Sequence, residues 1–183
     1  MKKRQILAIL LILSIKVFSQ NSKLSIETSY PILISEKGND YDFNNYNGVI
    51  DFGIKYDLIE KEKIDFGIGF NTSFLQFKVD DGLIKFTRKH YILQPKIYGK
   101  MNLIKKLNTD LIIGIGYSID LNSVENEKGK TYSGLNFNTG INYNITNEWF
   151  LHLQYDLIMY DKEELVYYNK NLNLIKIGVG LRI

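Results

Sequence analysis

His90 and His152 are the only imidazoles in a chain of 183 residues that contains no cysteine. Without thiols the chain forms no disulfide, no thiolate metal centre and no lipidated N-terminal cysteine. Neither histidine stands in a Cys/His/Glu spacing suited to zinc, and neither has a local His-x-Ser partner for nucleophilic chemistry. Both are expected to pack as polar interior side chains. Asp40-Tyr-Asp42-Phe-Asn44, with Asp51 eleven residues after Asp40, echoes a calcium loop, but Asn45 stands where that loop requires glycine, so a solvated loop is expected. The Gly-x-Gly pairs beginning at Gly67, Gly114 and Gly178 are followed by no helical pattern and therefore lack a phosphate-binding context. Asn71-Thr-Ser73 and Asn144-Ile-Thr146 are formal sequons lying inside strand patterns. No catalytic residue, metal ligand or cofactor is expected.

What remains is charge, and the elements that place it. From Ser22 onward the hydrophobicity alternates with period two, and no helical stripe follows the N-terminus. Eight segments result: Ser22 to Leu33, Asn47 to Leu58, Ile64 to Phe77, Phe86 to Met101, Thr109 to Leu121, Tyr132 to Ile145, Trp149 to Tyr160 and Asn171 to Ile183. In the second, Ile50, Phe52, Ile54, Tyr56 and Leu58 alternate with Asp51, Gly53, Lys55 and Asp57. These strands exceed the five or six residues usual in globular sheets. Connections after the even segments are short, while those after the odd ones are expected to be longer and richer in charge, Gly or Asn. In an up-and-down meander these two sets lie at opposite ends, so the ends face different compartments.

Alternation alone fits a soluble barrel, apolar inside, as well as a membrane barrel, apolar outside. The polar face decides. It is crowded with Gly and Asn between single charges of both signs, which suits the narrow lumen of an eight-stranded barrel better than a water-facing surface. Glu27, Asp57, Arg88, Lys96, Asp156, Lys176 and Arg182 are then expected to form a lumenal charge network, because an unpaired buried charge is costly. Asp156 and Lys176 are expected to face each other across the last hairpin, equidistant from a loop centre near Val166. Tyr30, Tyr56, Phe74, Tyr117, Tyr143 and Trp149 lie near strand ends on the apolar face, as aromatic girdles do.

The N-terminus reads as a processing signal. Lys2, Lys3 and Arg4 precede the apolar run Ile6 to Ile15, and Val17 and Ser19 are the small residues before a cut between Ser19 and Gln20. The expected division is a signal peptide over 1–19 and one barrel domain over 20–183. Removing Lys2, Lys3, Arg4 and Lys16 takes the formal charge from +3 to −1, so the sequence pI of 8.8 belongs to the signal and supports no nucleic-acid partner. The mean hydropathy of −0.15 is low for a helical membrane protein.

The stretch Tyr91-Ile-Leu-Gln-Pro95-Lys-Ile-Tyr98, the Gly-x-Gly strand Leu111 to Leu121 and the terminal Gly178-Val-Gly180-Leu-Arg-Ile183 carry a family resemblance over essentially the whole chain. It resembles the small bacterial outer-membrane β-barrel proteins, the OmpA-type and OmpX-like group, and especially the outer membrane beta-barrel domain proteins of Bacteroidota-like bacteria. One departure is Ile183 where the family usually ends in an aromatic residue. The resemblance implies an all-β, eight-stranded antiparallel up-and-down transmembrane barrel in the bacterial outer membrane, with a lumen closed by side chains. It implies contact with outer-membrane lipid and the outer-membrane assembly machinery, and a structural or surface-interaction role through the outer loops. Some barrels of this size are lipid-modifying enzymes using His with Ser or Asp, which makes an enzyme the alternative; a secreted soluble ligand-binding barrel is the other.

Overall fold

A computed structural model of the protein describes residues 23–34, 46–61, 63–80, 85–104, 108–124, 129–161 and 171–183. The signal segment 1–19 lies outside the described residues. The period-two segments form strands β1 (Leu24–Ile34), β2 (Tyr46–Ile59), β3 (Ile64–Asp80), β4 (Lys85–Ile104), β5 (Thr109–Val124), β6 (Lys130–Asn144), β7 (Trp149–Tyr160) and β8 (Asn171–Arg182). Each pairs antiparallel with its sequence neighbour, and β1 closes on β8 with Ile26 opposite Leu181 and Ile34 opposite Asn173. Closure leaves no exposed sheet edge along the wall.

The wall is apolar outside and polar inside, the inverse of a soluble barrel. Ile54, Ile97, Leu153 and Ile177 are half exposed, whereas the residues that alternate with them, such as Lys55, Lys96, Gln154 and Lys176, are buried. On β4 the outward series Tyr91, Leu93, Pro95, Ile97, Gly99 and Met101 spans ten residue steps. At ~3.3 Å per residue and a tilt near ~40°, that is about 25 Å along the barrel axis, the height of an outer-membrane apolar band. The girdle residues Tyr30, Tyr56, Tyr117, Tyr143 and Trp149 are exposed on this wall, and Phe74 stacks on Tyr91 with ring centroids 4.7 Å apart.

Two features differ from the sequence expectation. The connections after β3 and β5 (81–84 and 125–129) are four and five residues, against four in each turn at the opposite end; only 35–45 and 161–170 are long. The missing length is in the strands: β3 and β4 keep pairing outward to Asp80 opposite Lys85. The lumen, secondly, is not uniformly polar. Leu75, Ile92, Ile158, Tyr160 and Leu174 form a buried apolar cluster near the loop end, and Tyr98, Ile112 and Phe150 are buried near the short-turn end. From the loop end inward, β4 presents Arg88, His90, Ile92, Gln94, Lys96, Tyr98 and Lys100 to the lumen, so apolar layers bracket a charged middle.

Candidate functional site: the charged lumen

Lys176 is the hub of the middle layer. Its Nζ lies 2.7 Å from Asp51 Oδ2 and 2.8 Å from Asp156 Oδ2, and donates a hydrogen bond of 2.7 Å to Gln94 Oε1. Gln94 Nε2 and Gln154 Nε2 donate in turn to Asp156, at 3.1 and 2.6 Å. Asp51 also accepts from Ser29 Oγ, Asn71 Nδ2 and Ser73 Oγ, at 3.2, 2.9 and 2.5 Å. Asn71 Nδ2 reaches Glu27 Oε1 as well, at 3.3 Å, and Lys55 Nζ closes on Glu27 Oε2 at 2.8 Å. Lys96 is buried among these groups, under the influence of Glu27, Asp156, Lys55 and Lys176, without a direct ion pair to any described carboxylate. Glu27, Asp51 and Asp156 thus balance Lys55, Lys96 and Lys176. Charges this deep persist because they compensate one another, and all but Lys96 also hydrogen-bond to their neighbours.

Asp156 and Lys176 meet, but not as facing residues. Gln154 is the partner of Lys176 in the β7–β8 register, and Asp156 stands opposite Leu174. The long lysine stem spans the diagonal, within the reach that neighbouring strands allow such side chains.

Toward the short-turn end, Asp57 accepts from Tyr98 Oη at 2.6 Å and from Lys100 Nζ at 2.5 Å, and Lys100 also lies 3.2 Å from Asp65. Arg182 donates to Asp110 Oδ2 at 3.0 Å and Asn144 Oδ1 at 2.7 Å while its guanidinium stands 5.0 Å over the Phe150 ring. The space left between Lys55, Asp57, Tyr98, Phe150 and Arg182 is about 10 Å³, room for about one water. Crowding also explains two lumenal glycines: a Cβ at Gly180 would collide with the Phe150 ring, and one at Gly53 would lie 2.5 Å from Glu27 Cγ.

At the loop end His90 Nδ1 lies 2.8 Å from Asp120 Oδ2, which also accepts from Tyr160 Oη at 2.9 Å. Arg88, half-buried, precedes His90 by one alternation on β4. The imidazole–carboxylate pair resembles part of a hydrolytic triad, but Ser118, the next lumenal hydroxyl on β5, is one alternation deeper and bonds to neither. His152 is buried near the opposite end, edge-on to Phe150 at 6.3 Å. Among the described residues no group of three metal-ligating side chains converges. Asp51 is a lumenal anchor rather than the end of a loop; residues 40–45 of the calcium-like stretch lie outside the described residues. Asn71 is buried and Asn144 donates to Asp110, so both sequon asparagines are engaged in the wall's interior.

The structure therefore distributes the seven charges singled out in the sequence over three levels: Arg88 above the apolar cluster, Glu27, Lys96, Asp156 and Lys176 in the middle, Asp57 and Arg182 below. Sequence reasoning left out Asp51, Lys55 and Gln94, although they lie in the same phase of their strands as Asp57, Arg88 and Lys96, and Asp120, on a strand from which it chose no charge. Phase was the available signal; partner identity was not.

The sequence profile of the outer membrane protein beta-barrel domain family matches residues 6–182. Among solved structures, the attachment invasion locus protein Ail of Yersinia pestis superposes with a TM-score of 0.59 at 11% identity, covering 87% of this chain and 96% of that one. Neisserial surface protein A superposes at 0.54 with 16% identity over 87% and 94%, and the N-terminal barrel of Pseudomonas aeruginosa OprF at 0.55 with 13% identity over 87% and 96%. At these identities the likeness is one of fold. A search of curated proteins gives no match.

Proposed function

The chain belongs to the outer membrane protein beta-barrel domain family, and we propose that it is a non-enzymatic member with a sealed lumen, acting through its outer loops as a surface-interaction or envelope-structural element. One observation carries this reading: the middle of the lumen is filled by a charge-balanced network of side chains bonded to one another, between two apolar layers. A group so engaged is not available to a substrate, and an eight-stranded lumen filled in this way has no ion path. Export is accompanied by cleavage between Ser19 and Gln20, and insertion uses the outer-membrane assembly machinery.

The outer segments supply the contact chemistry. Ail was crystallised with the heparin analogue sucrose octasulfate, which gives this fold a precedent for a surface ligand. Here segments 35–45, 81–84, 125–128 and 162–170 carry eight carboxylates against four lysines, with Tyr41, Phe43, Tyr167 and Tyr168 among them. That balance repels a sulfated polysaccharide and favours a basic partner with apolar side chains.

Planar bilayers test the seal: reconstituted protein is expected to give no reproducible conductance steps, and porin-sized steps would overturn the reading. Lipid A and phospholipid profiles before and after expression test the enzyme alternative suggested by His90 and Asp120. Unchanged profiles are expected; a new acylation state would make the protein an enzyme.

A further inference from the structure

On the lipid-facing side of β4 every described outward residue from Tyr91 to Met101 is large except Gly99. The lumenal glycines are small because a Cβ would strike a neighbour: at Gly116 it would lie 2.8 Å from Lys96 Cβ, and at Gly114 2.5 Å from Asn138 Oδ1. Gly99 has no such reason. A Cβ there would meet nothing nearer than Phe66 Cε1 at 3.6 Å, an ordinary contact, and its φ is not in the left-handed region. The missing side chain leaves a notch. It opens onto a groove of about 510 Å³ walled by Ile59, Phe66, Ile68, Ile97, Ile113 and Phe137. That volume is within the roughly 300–1,000 Å³ of small-molecule sites.

The groove lies at the short-turn end of the wall. Ile59 pairs with Phe66, Phe66 with Gly99 and Gly99 with Ile113. The turn between Ile59 and Ile64 reads Glu60-Lys61-Glu62-Lys63 in sequence, with Glu60, Lys61 and Lys63 exposed. An apolar notch in the hydrocarbon zone, with two ammonium groups and two carboxylates alternating in sequence where the membrane surface begins, matches the apolar tail and the paired charges of a zwitterionic phospholipid.

We propose that the Gly99 groove is a binding site for one phospholipid of the periplasmic leaflet, its acyl chain in the notch and its phosphate at Lys61 and Lys63. The inference rests on the outer-membrane barrel reading and adds to it a discrete lipid site within an otherwise exchangeable wall. Filling the notch with a side chain should remove the site without disturbing the barrel, because a Cβ at Gly99 finds open space.

Native mass spectrometry of the full barrel in mild detergent, titrated with palmitoyl-oleoyl phosphatidylethanolamine, tests this. The wild type is expected to hold one phospholipid per monomer. Gly99→Leu is expected to bind about tenfold more weakly while still showing the heat-dependent gel shift of a closed barrel, and Lys61→Glu with Lys63→Glu to weaken binding as well. A bare wild-type monomer, binding unchanged in Gly99→Leu, binding unchanged in the lysine variant, or a dimer that Gly99→Leu dissolves would each overturn the site. Absence of the gel shift in the wild type would instead strike the barrel reading itself.

Discussion

The lumen and the lipid-facing wall of this barrel are made from the same eight strands, residue by alternate residue, yet they obey different rules. Inside, each large side chain has assigned neighbours: Lys176 sits between Asp51 and Asp156, Phe150 over Gly180, Tyr98 on Asp57. Outside, Ile54, Leu153 and Ile177 meet only hydrocarbon, and any apolar side chain of similar size serves there. The lumen specifies one structure through matched partners, while the wall specifies only a medium. Period two sorts residues between these regimes, and substitutions should feel the difference.

The largest effect is expected at the hub. Lys176→Met strands Asp51 and Asp156 without their cation and should cost about 3–5 kcal/mol in denaturant unfolding from lipid vesicles. Adding Asp156→Asn should cost less than the sum of the single losses, because the two share one interaction. Additive losses would mean that the two side chains do not depend on each other.

On the wall the same test needs a change of medium rather than of partner. Leu153→Arg places a cation at mid-height in hydrocarbon and should cost about 2–4 kcal/mol in the same assay. A neutral result would place position 153 in contact with water. Within the lumen's apolar layer, Ile158→Val removes one methyl group from a closed cluster and should cost about 0.5–1.5 kcal/mol. Ile177→Leu on the wall should change stability by less than ~0.5 kcal/mol, since no neighbour dictates its shape. If the two conservative changes cost the same, the contrast between matched and unmatched packing fails.

The same contrast explains what was legible in the sequence. Alternation is local, and it gave all eight strands, the inward phase of Glu27, Asp57, Lys96, Asp156 and Lys176, and the girdle tyrosines. Pairing across the lumen depends on register between strands far apart in the chain, such as Asp51 on β2 with Lys176 on β8, and no local pattern carries it. His90 finds Asp120 on the next strand, two residues from its register partner Asn122, a diagonal that alternation within one strand does not show. Ile92, Ile158 and Leu174 stand in the polar phase, where an apolar residue looks like an interruption of the pattern; packed together they are a layer of the seal. The extra length of β3 and β4 escaped notice because polar residues above the membrane surface alternate too weakly to mark a strand end. Gly99 is the reverse case: among many Gly-rich strand patterns only the geometry distinguishes a glycine needed for packing from one that opens a groove.

The inversion of inside and outside is the central claim, and two adjacent residues test it. Leu153 is half exposed on the wall and Gln154 is buried in the lumen; because the chain has no cysteine, each can be made the only thiol. A spin label at Leu153→Cys is expected to collide readily with oxygen and poorly with a water-soluble nickel complex, while Gln154→Cys in the folded protein resists a charged maleimide. Fast maleimide labelling of Gln154→Cys together with protection of Leu153→Cys would contradict the account, placing water outside the barrel and the apolar face within it.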